Sequence, residues 1–162
     1  VSPQGEAPIL VAVDFSPDSD AAFAWAADLA GRLAAPLHVL HVVHEPAASP
    51  GYYERTGGSD WVQLESVARK MLERYVQQMR EKLPGLGALP GLDASVVSGL
   101  PETRILEIAE RVGARMIVLG GQGRTALADI LLGSKAERVV RLSSVPVTVV
   151  RASDAARTRG KK

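Results

Sequence analysis

Short apolar runs recur along the chain, and stripes of helical period fill the spaces between them. The first run, Ile9-Leu10-Val11-Ala12-Val13, is continuous and β-rich. It reads as a strand covered on both faces, stopped by Asp14-Phe15-Ser16-Pro17. Over residues 19–33, Ala22, Trp25, Ala26, Leu29, Ala30 and Leu33 follow helical spacing, and Asp18 and Asp20 sit where the helix dipole favours negative charge. Residues 37–43 predict a second strand. Leu64, Ala68, Met71, Tyr75, Met79 and Leu83 trace the stripe of a second helix ending near Lys82, with Glu65 and Arg69 spaced for an ion pair on its wet side. Between them, residues 45–60 carry Pro46, Pro50, Gly51, Gly57 and Gly58 and read as a long loop of the kind that often serves function.

A linker over 84–90 leads to a third strand at 94–97. Pro101 then suits the first turn of a helix whose buried face is Ile105, Ile108, Ala109 and Val112, and Gly113 suits the left-handed residue beyond its end. Residues 116–119 form a fourth strand. Ser134-Lys135-Ala136-Glu137 has the form of a capping box, opening a last helix that turns Val139, Val140 and Leu142 inward. Residues 145–150 close the set as a fifth strand, with Pro146 near its start or on an exposed edge.

Strands alternating with helices predict right-handed crossovers and a parallel sheet, hence a single three-layer α/β/α sandwich. Ligands of such sheets bind beyond the carboxyl ends of the strands. Asp14 and Gly120 both stand at that end. The domain is expected over 1–152, followed by a basic tail at 153–162 (Arg157, Arg159, Lys161, Lys162) that is expected to be disordered.

Composition narrows the function. The 162 residues contain no cysteine, which removes disulfides, thiolate metal sites and a catalytic thiol and favours a cytoplasmic home. Lys plus Arg (19) nearly cancel Asp plus Glu (18), so the basic field that draws nucleic acid is missing. No apolar run reaches the roughly 20 residues of a membrane span, and VSPQGEAP lacks the pattern of a signal peptide. The expectation is a soluble protein with neither a nucleic-acid nor a membrane partner.

The segment with the most chemistry is GGQGRTALADILLGSK, which begins at Gly120. Gly120, Gly123 and Gly133 bracket a strand-to-helix connection, where a missing Cβ lets a phosphate approach backbone N–H groups and the helix opening at Ser134 adds positive dipole character. Turn formation alone also calls for glycine, and Ser134 alone also reads as a helix cap; the residues leave both readings open. There is no G-x-x-x-x-G-K-[ST] loop, since Gly133-Ser134-Lys135 has the wrong order, and no evident base or metal carboxylate beside the phosphates. An enzyme is therefore not expected, with slow hydrolysis of a bound nucleotide and a nucleotide-independent dimeric chaperone-like module as the alternatives. His38, His41 and His44 fall on a strand, so His41 faces away from the other two and a shared metal is not expected.

GGQGRTALADILLGSKAERVVRLSSVPVTVV resembles the C-terminal signature of universal stress proteins, including the G-x2-G-x9-G-S spacing of their ATP-binding members. The resemblance extends to ILVAVDFSPDSDAAFAWAADLA, LHVLHVV and GLPETRILEIAERVGARMIVLG, leaving out mainly residues 45–93. It implies strand order 3-2-1-4-5, an ATP cofactor with Mg²⁺ and a regulatory stress-response role. It also implies that Asp14 and the backbone near Ala12 and Val42 meet adenine and ribose, that Leu119 lines the base pocket, and that Gly120, Gly123, Gly133 and Ser134 hold ribose and phosphates. Gly121 and Gln122 depart from the small hydroxyl and basic residues common after the first glycine. Lys135 either restores a cation there or points into solvent. In that order the last strand, with Val145, Val147, Val149 and Val150, lies on the sheet edge, where a two-fold copy is the simplest cover; a homodimer is expected.

Overall fold

The structure is a computed structural model, which describes residues 7–44, 61–122 and 132–152. Its strands are β1 (Ile9–Ala12), β2 (Leu37–Val43), β3 (Leu92–Ser98), β4 (Met116–Gly120) and β5 (Val147–Val150). Its helices are α1 (Pro17–Leu33), α2 (Trp61–Lys82), α3 (Pro101–Val112) and α4 (Ser134–Leu142). The strands form one 5-stranded sheet in the order β3-β2-β1-β4-β5, and every pairing is parallel. This is the three-layer α/β arrangement and the strand order expected of the chain.

Alternation along the strands divides the core in two. Ile9, Val11, Val39, Val43 and Val118 pack beneath α1 and α2, whereas Leu10, Leu40, Ile117 and Leu119 pack beneath α3 and α4. The central strands are apolar on both faces because both are covered. Ala22, Ala26 and Ala30 of α1 are fully buried with Phe23, so the helix lies close on the sheet through small residues. Trp25 and Leu33, expected on its inner stripe, are exposed instead. Val140 and Leu142 are exposed likewise, since α4 covers the β5 end of the sheet and buries only Ala136 and Val139.

Several boundaries move for identifiable reasons. α1 begins at Pro17 because the Ser16 hydroxyl accepts from the Ser19 N–H at 3.2 Å and caps the helix. The linker after α2 folds as a 3₁₀ turn, Pro84–Ala88, with Leu86 buried. β3 extends to Leu92–Ser98 because all seven of its residues pair with β2. β5 starts at Val147, after Pro146, whose carbonyl accepts from the Ile117 N–H. Glu65 does not serve Arg69; its carboxylate accepts from the Ser98 hydroxyl at 2.6 Å, joining α2 to β3. The loop expected at 45–60 and the tail lie outside the described residues.

Candidate functional site

β1 and β4 lie side by side, with Ala12 opposite Leu119, and both chains leave the sheet at its carboxyl end. The turn after β1 is held tightly. The His41 ring bonds the Val13 carbonyl at 2.8 Å, and the Asp14 carboxylate accepts from the Ser16 N–H at 3.0 Å. Between Asp14 and Ser16, Phe15 has φ 63, a left-handed backbone that costs a bulky residue energy. Its ring offsets that cost by packing on His41 at 4.5 Å and on Tyr75 at 5.3 Å. Spacing along the chain marks His41 only as a metal candidate. Its place is structural: buried, it fixes the turn that presents Asp14.

The far wall is the glycine-rich turn after β4. A Cβ on Gly120 would lie 2.9 Å from the Asp18 carbonyl carbon and 2.9 Å from the Ser19 nitrogen, so this glycine admits the backbone of α1. A Cβ on Gly121 would meet the Arg151 side chain at 2.9 Å. Backbone donors here are partly spent within the fold: Gly121 N–H on the Val150 carbonyl, Gly133 N–H on the Gly121 carbonyl (both 2.8 Å), and Gln122 N–H on the Asp18 carboxylate at 3.0 Å. Among the described residues, the Gly121, Gln122 and Gly133 N–H groups are therefore engaged within the fold. Gly123 lies outside the described residues.

α4 is not opened by a capping box. Its N-cap is Gly133 in extended conformation with no side-chain cap, Ser134 is the first helical residue, and Glu137 pairs with Arg141 at 2.7 Å rather than reaching back. Glycine in the cap position carries no hydroxyl, so the cap residue offers no side-chain acceptor to the N–H groups of the first turn. Ser134 and Lys135 are exposed.

Ala12, Val42 and Leu119 all belong to the α3/α4 face of the sheet, with Ala12 and Val42 only half-buried. An apolar shelf at the strand ends thus lies on the same face as the uncapped start of α4, which is joined to the turn by the Gly133–Gly121 bond. Asp18 is a site residue that sequence reasoning misses: the dipole argument for an acid in the first turn explains its presence but not its reach across to Gln122. His38 stands near the start of β2, away from this end, whereas His44 directly follows the end of β2. His38 bonds the Ser95 hydroxyl at 2.8 Å, and burial pushes its pKa below the ordinary histidine range against the pull of Asp93. Among the described residues no group of three acids or histidines is placed to hold a metal, and no helix is long and apolar enough to cross a membrane.

A doubly wound sheet with its switch point between β1 and β4 is of the class whose ligands bind beyond the strand ends. The model of the universal stress protein family matches residues 7–151, and the chain belongs to that family. It is 35% identical over 155 residues to universal stress protein Rv2005c of Mycobacterium tuberculosis, a match covering 94% of this chain and 50% of that protein. The chain therefore spans about half the length of the mycobacterial relatives it matches first. Among solved structures it is similar to universal stress protein UspA from Lactobacillus plantarum, with a TM-score of 0.65 and 26% identity over 91% of this chain and 100% of that one. It shares the fold of the Archaeoglobus fulgidus universal stress protein in complex with dAMP, with a TM-score of 0.60 and 24% identity over 89% of this chain and 97% of the other.

Proposed function

We propose that this chain is an ATP-binding regulatory protein of the stress response, and not an enzyme. The observation that carries the reading is the uncapped start of α4, with Ser134 and Lys135 exposed, on the face that carries the Ala12, Val42 and Leu119 shelf. The groups fit the parts of the nucleotide. The shelf takes the base, Asp14 a ribose hydroxyl, and the first-turn N–H groups with the Ser134 hydroxyl take phosphate oxygens. Gly120 belongs to the same wall by admitting α1, and the family spacing assigns Gly123 to the phosphates. Mg²⁺ would arrive with the triphosphate and be carried by it. The dAMP held by the archaeal relative supports an adenine nucleotide as the ligand class.

ATP that binds only the folded state at about 100 times its dissociation constant adds about 2.7 kcal/mol, a rise of roughly 5 to 10 °C in melting temperature. GTP should shift it less. No shift at millimolar ATP with Mg²⁺, together with flat calorimetry on nucleotide-free protein, refutes the reading and leaves a nucleotide-independent module.

The same reading includes a homodimer through β5, an edge strand paired only to β4. Pro146 and Val150 direct their carbonyls to β4, so by alternation Val147 and Val149 direct N–H and C=O outward. That open edge suits a two-fold copy. Light scattering after size exclusion should give twice the chain mass, and Val149→Pro, which removes an outward donor, should give the monomer. A monomeric wild type removes this part of the reading.

A further inference from the structure

Asp18 touches two segments that are distant in sequence. One carboxylate oxygen accepts from the Gln122 N–H at 3.0 Å and the other from the Ala152 N–H at 2.9 Å. Gln122 belongs to the glycine-rich turn; Ala152 lies two residues beyond the end of β5. The turn and β5 are also joined directly, since Gly121 N–H donates to the Val150 carbonyl at 2.8 Å and Arg151 crosses Gly121 where a Cβ would stand. Both bonds to Asp18 are charge-assisted, and the residue is partly buried in the first turn of α1, where the dipole favours its charge. Capping does not need it, because Ser16 already serves the Ser19 N–H.

The geometry points to Asp18 as a positioning residue that ties the glycine-rich turn to the exit of β5, so that nucleotide held at the turn orders the sheet edge beyond it. The inference rests on the nucleotide reading above and adds its regulation. A contiguous chain of bonds carries it: turn, carboxylate, Ala152, edge strand. The coupling is reciprocal, so whatever pairs with the β5 edge tightens nucleotide binding in turn.

Amide exchange of the full chain, read at Gln122 and Ala152 with and without Mg²⁺ and ATP, tests it. In the wild type both amides should slow when ATP is added. Asp18→Ala should speed exchange at both in the free protein, by about tenfold or more, and should weaken ATP binding. At saturating ATP the variant should regain protection at Gln122 but not at Ala152, a separation that a general loss of stability does not produce. Asp18→Asn keeps the shape and one acceptor, and should release one amide while retaining the other. Asp28→Asn, which removes only an exposed pair with Arg32, is the control and should change neither amide. ATP-dependent protection of Ala152 that persists in Asp18→Ala, or that is absent from a wild type which binds ATP, overturns the proposal and leaves the nucleotide reading standing. A wild type that binds no ATP overturns both; faster exchange at the two amides in Asp18→Ala would then leave Asp18 a structural tie alone.

Discussion

Of the helices that begin at the carboxyl end of the sheet, α1 and α4 have N-termini finished in opposite ways. At α1 the Ser16 hydroxyl caps the Ser19 N–H, the backbone presses against Gly120, and Asp18 bridges to two neighbouring segments. At α4 the cap is a bare glycine, and the first residues, Ser134 and Lys135, are exposed. A helix start leaves N–H groups without intrahelical acceptors, and each must find a partner. At α1 the protein supplies partners. At α4 the cap residue supplies none, so two similar local sequences, S-x-x-S and G-S-x-x-E, give a side-chain cap in one case and a bare glycine cap in the other; the proposed function assigns binding to the second.

The sharpest way to break this contrast exchanges a side chain into each glycine. Gly120→Val puts a Cβ 2.9 Å from backbone atoms of α1 that have no rotamer to escape into. The expected loss is about 2 to 3 kcal/mol, or a fall of roughly 5 to 10 °C in melting temperature, with nucleotide binding lost alongside. Gly133→Ala introduces a contact of 3.4 Å to the Gly121 carbonyl at an ordinary φ of -68. Its stability should change by less than about 1 kcal/mol. Equal thermal losses from both would show that the two walls are not distinguished as described.

Ser16→Ala and Ser134→Ala form the next pair. The first removes a cap and should cost about 1 kcal/mol while sparing ATP affinity. Ser134 caps nothing, so its loss should leave denaturant unfolding within about 0.5 kcal/mol of wild type. If its hydroxyl meets a phosphate, affinity should fall about tenfold or more, the equivalent of a hydrogen bond to a charged group. Urea titration and calorimetry on the same two variants give both readings. A Ser134→Ala protein that is destabilised but binds normally would return Ser134 to the role of cap.

Periodicity is enough to read the layers and every strand, because apolar runs of four or more residues have few other uses in a chain this short. Strand order is carried by the family resemblance, since no residue of β5 says that it neighbours β4 rather than β3. The site is readable as a place but not as a division of labour. Gly120 is visible as a glycine required near the ligand, yet what requires it is the backbone of α1, about 100 residues earlier in the chain. The capping box fails because S-x-x-E describes an opportunity; the chain reaches α4 through an extended Gly133, which shifts Ser134 into the helix and turns Glu137 toward Arg141. Asp18, Phe15 and His41 act through contacts that join distant parts of the chain, and local spacing carries no trace of such contacts.

The smallest expected effect lies beneath the closed end. The Tyr75 hydroxyl and one oxygen of the Asp20 carboxylate are buried, and neither makes a hydrogen bond of ordinary geometry. Burial pushes the Tyr75 hydroxyl well above the usual tyrosine range, and the nearby Asp20 carboxylate adds to the push. Such a hydroxyl recovers only part of its desolvation from Asp20 and Ser19 nearby, whereas its ring is fully used, packed edge-on against Phe23 at 5.8 Å and against Phe15 at 5.3 Å. Tyr75→Phe keeps the ring and removes the cost. The variant should therefore be equal to wild type or more stable by up to about 1 kcal/mol in urea unfolding, with ATP affinity unchanged because the open start of α4 is untouched. A loss of more than about 1 kcal/mol would show that the hydroxyl is an engaged partner of the α1 turn. A change in ATP affinity at constant stability would instead show that Phe15, resting on this ring, transmits its position to Asp14, and that the closed and open ends are less separate than their caps make them.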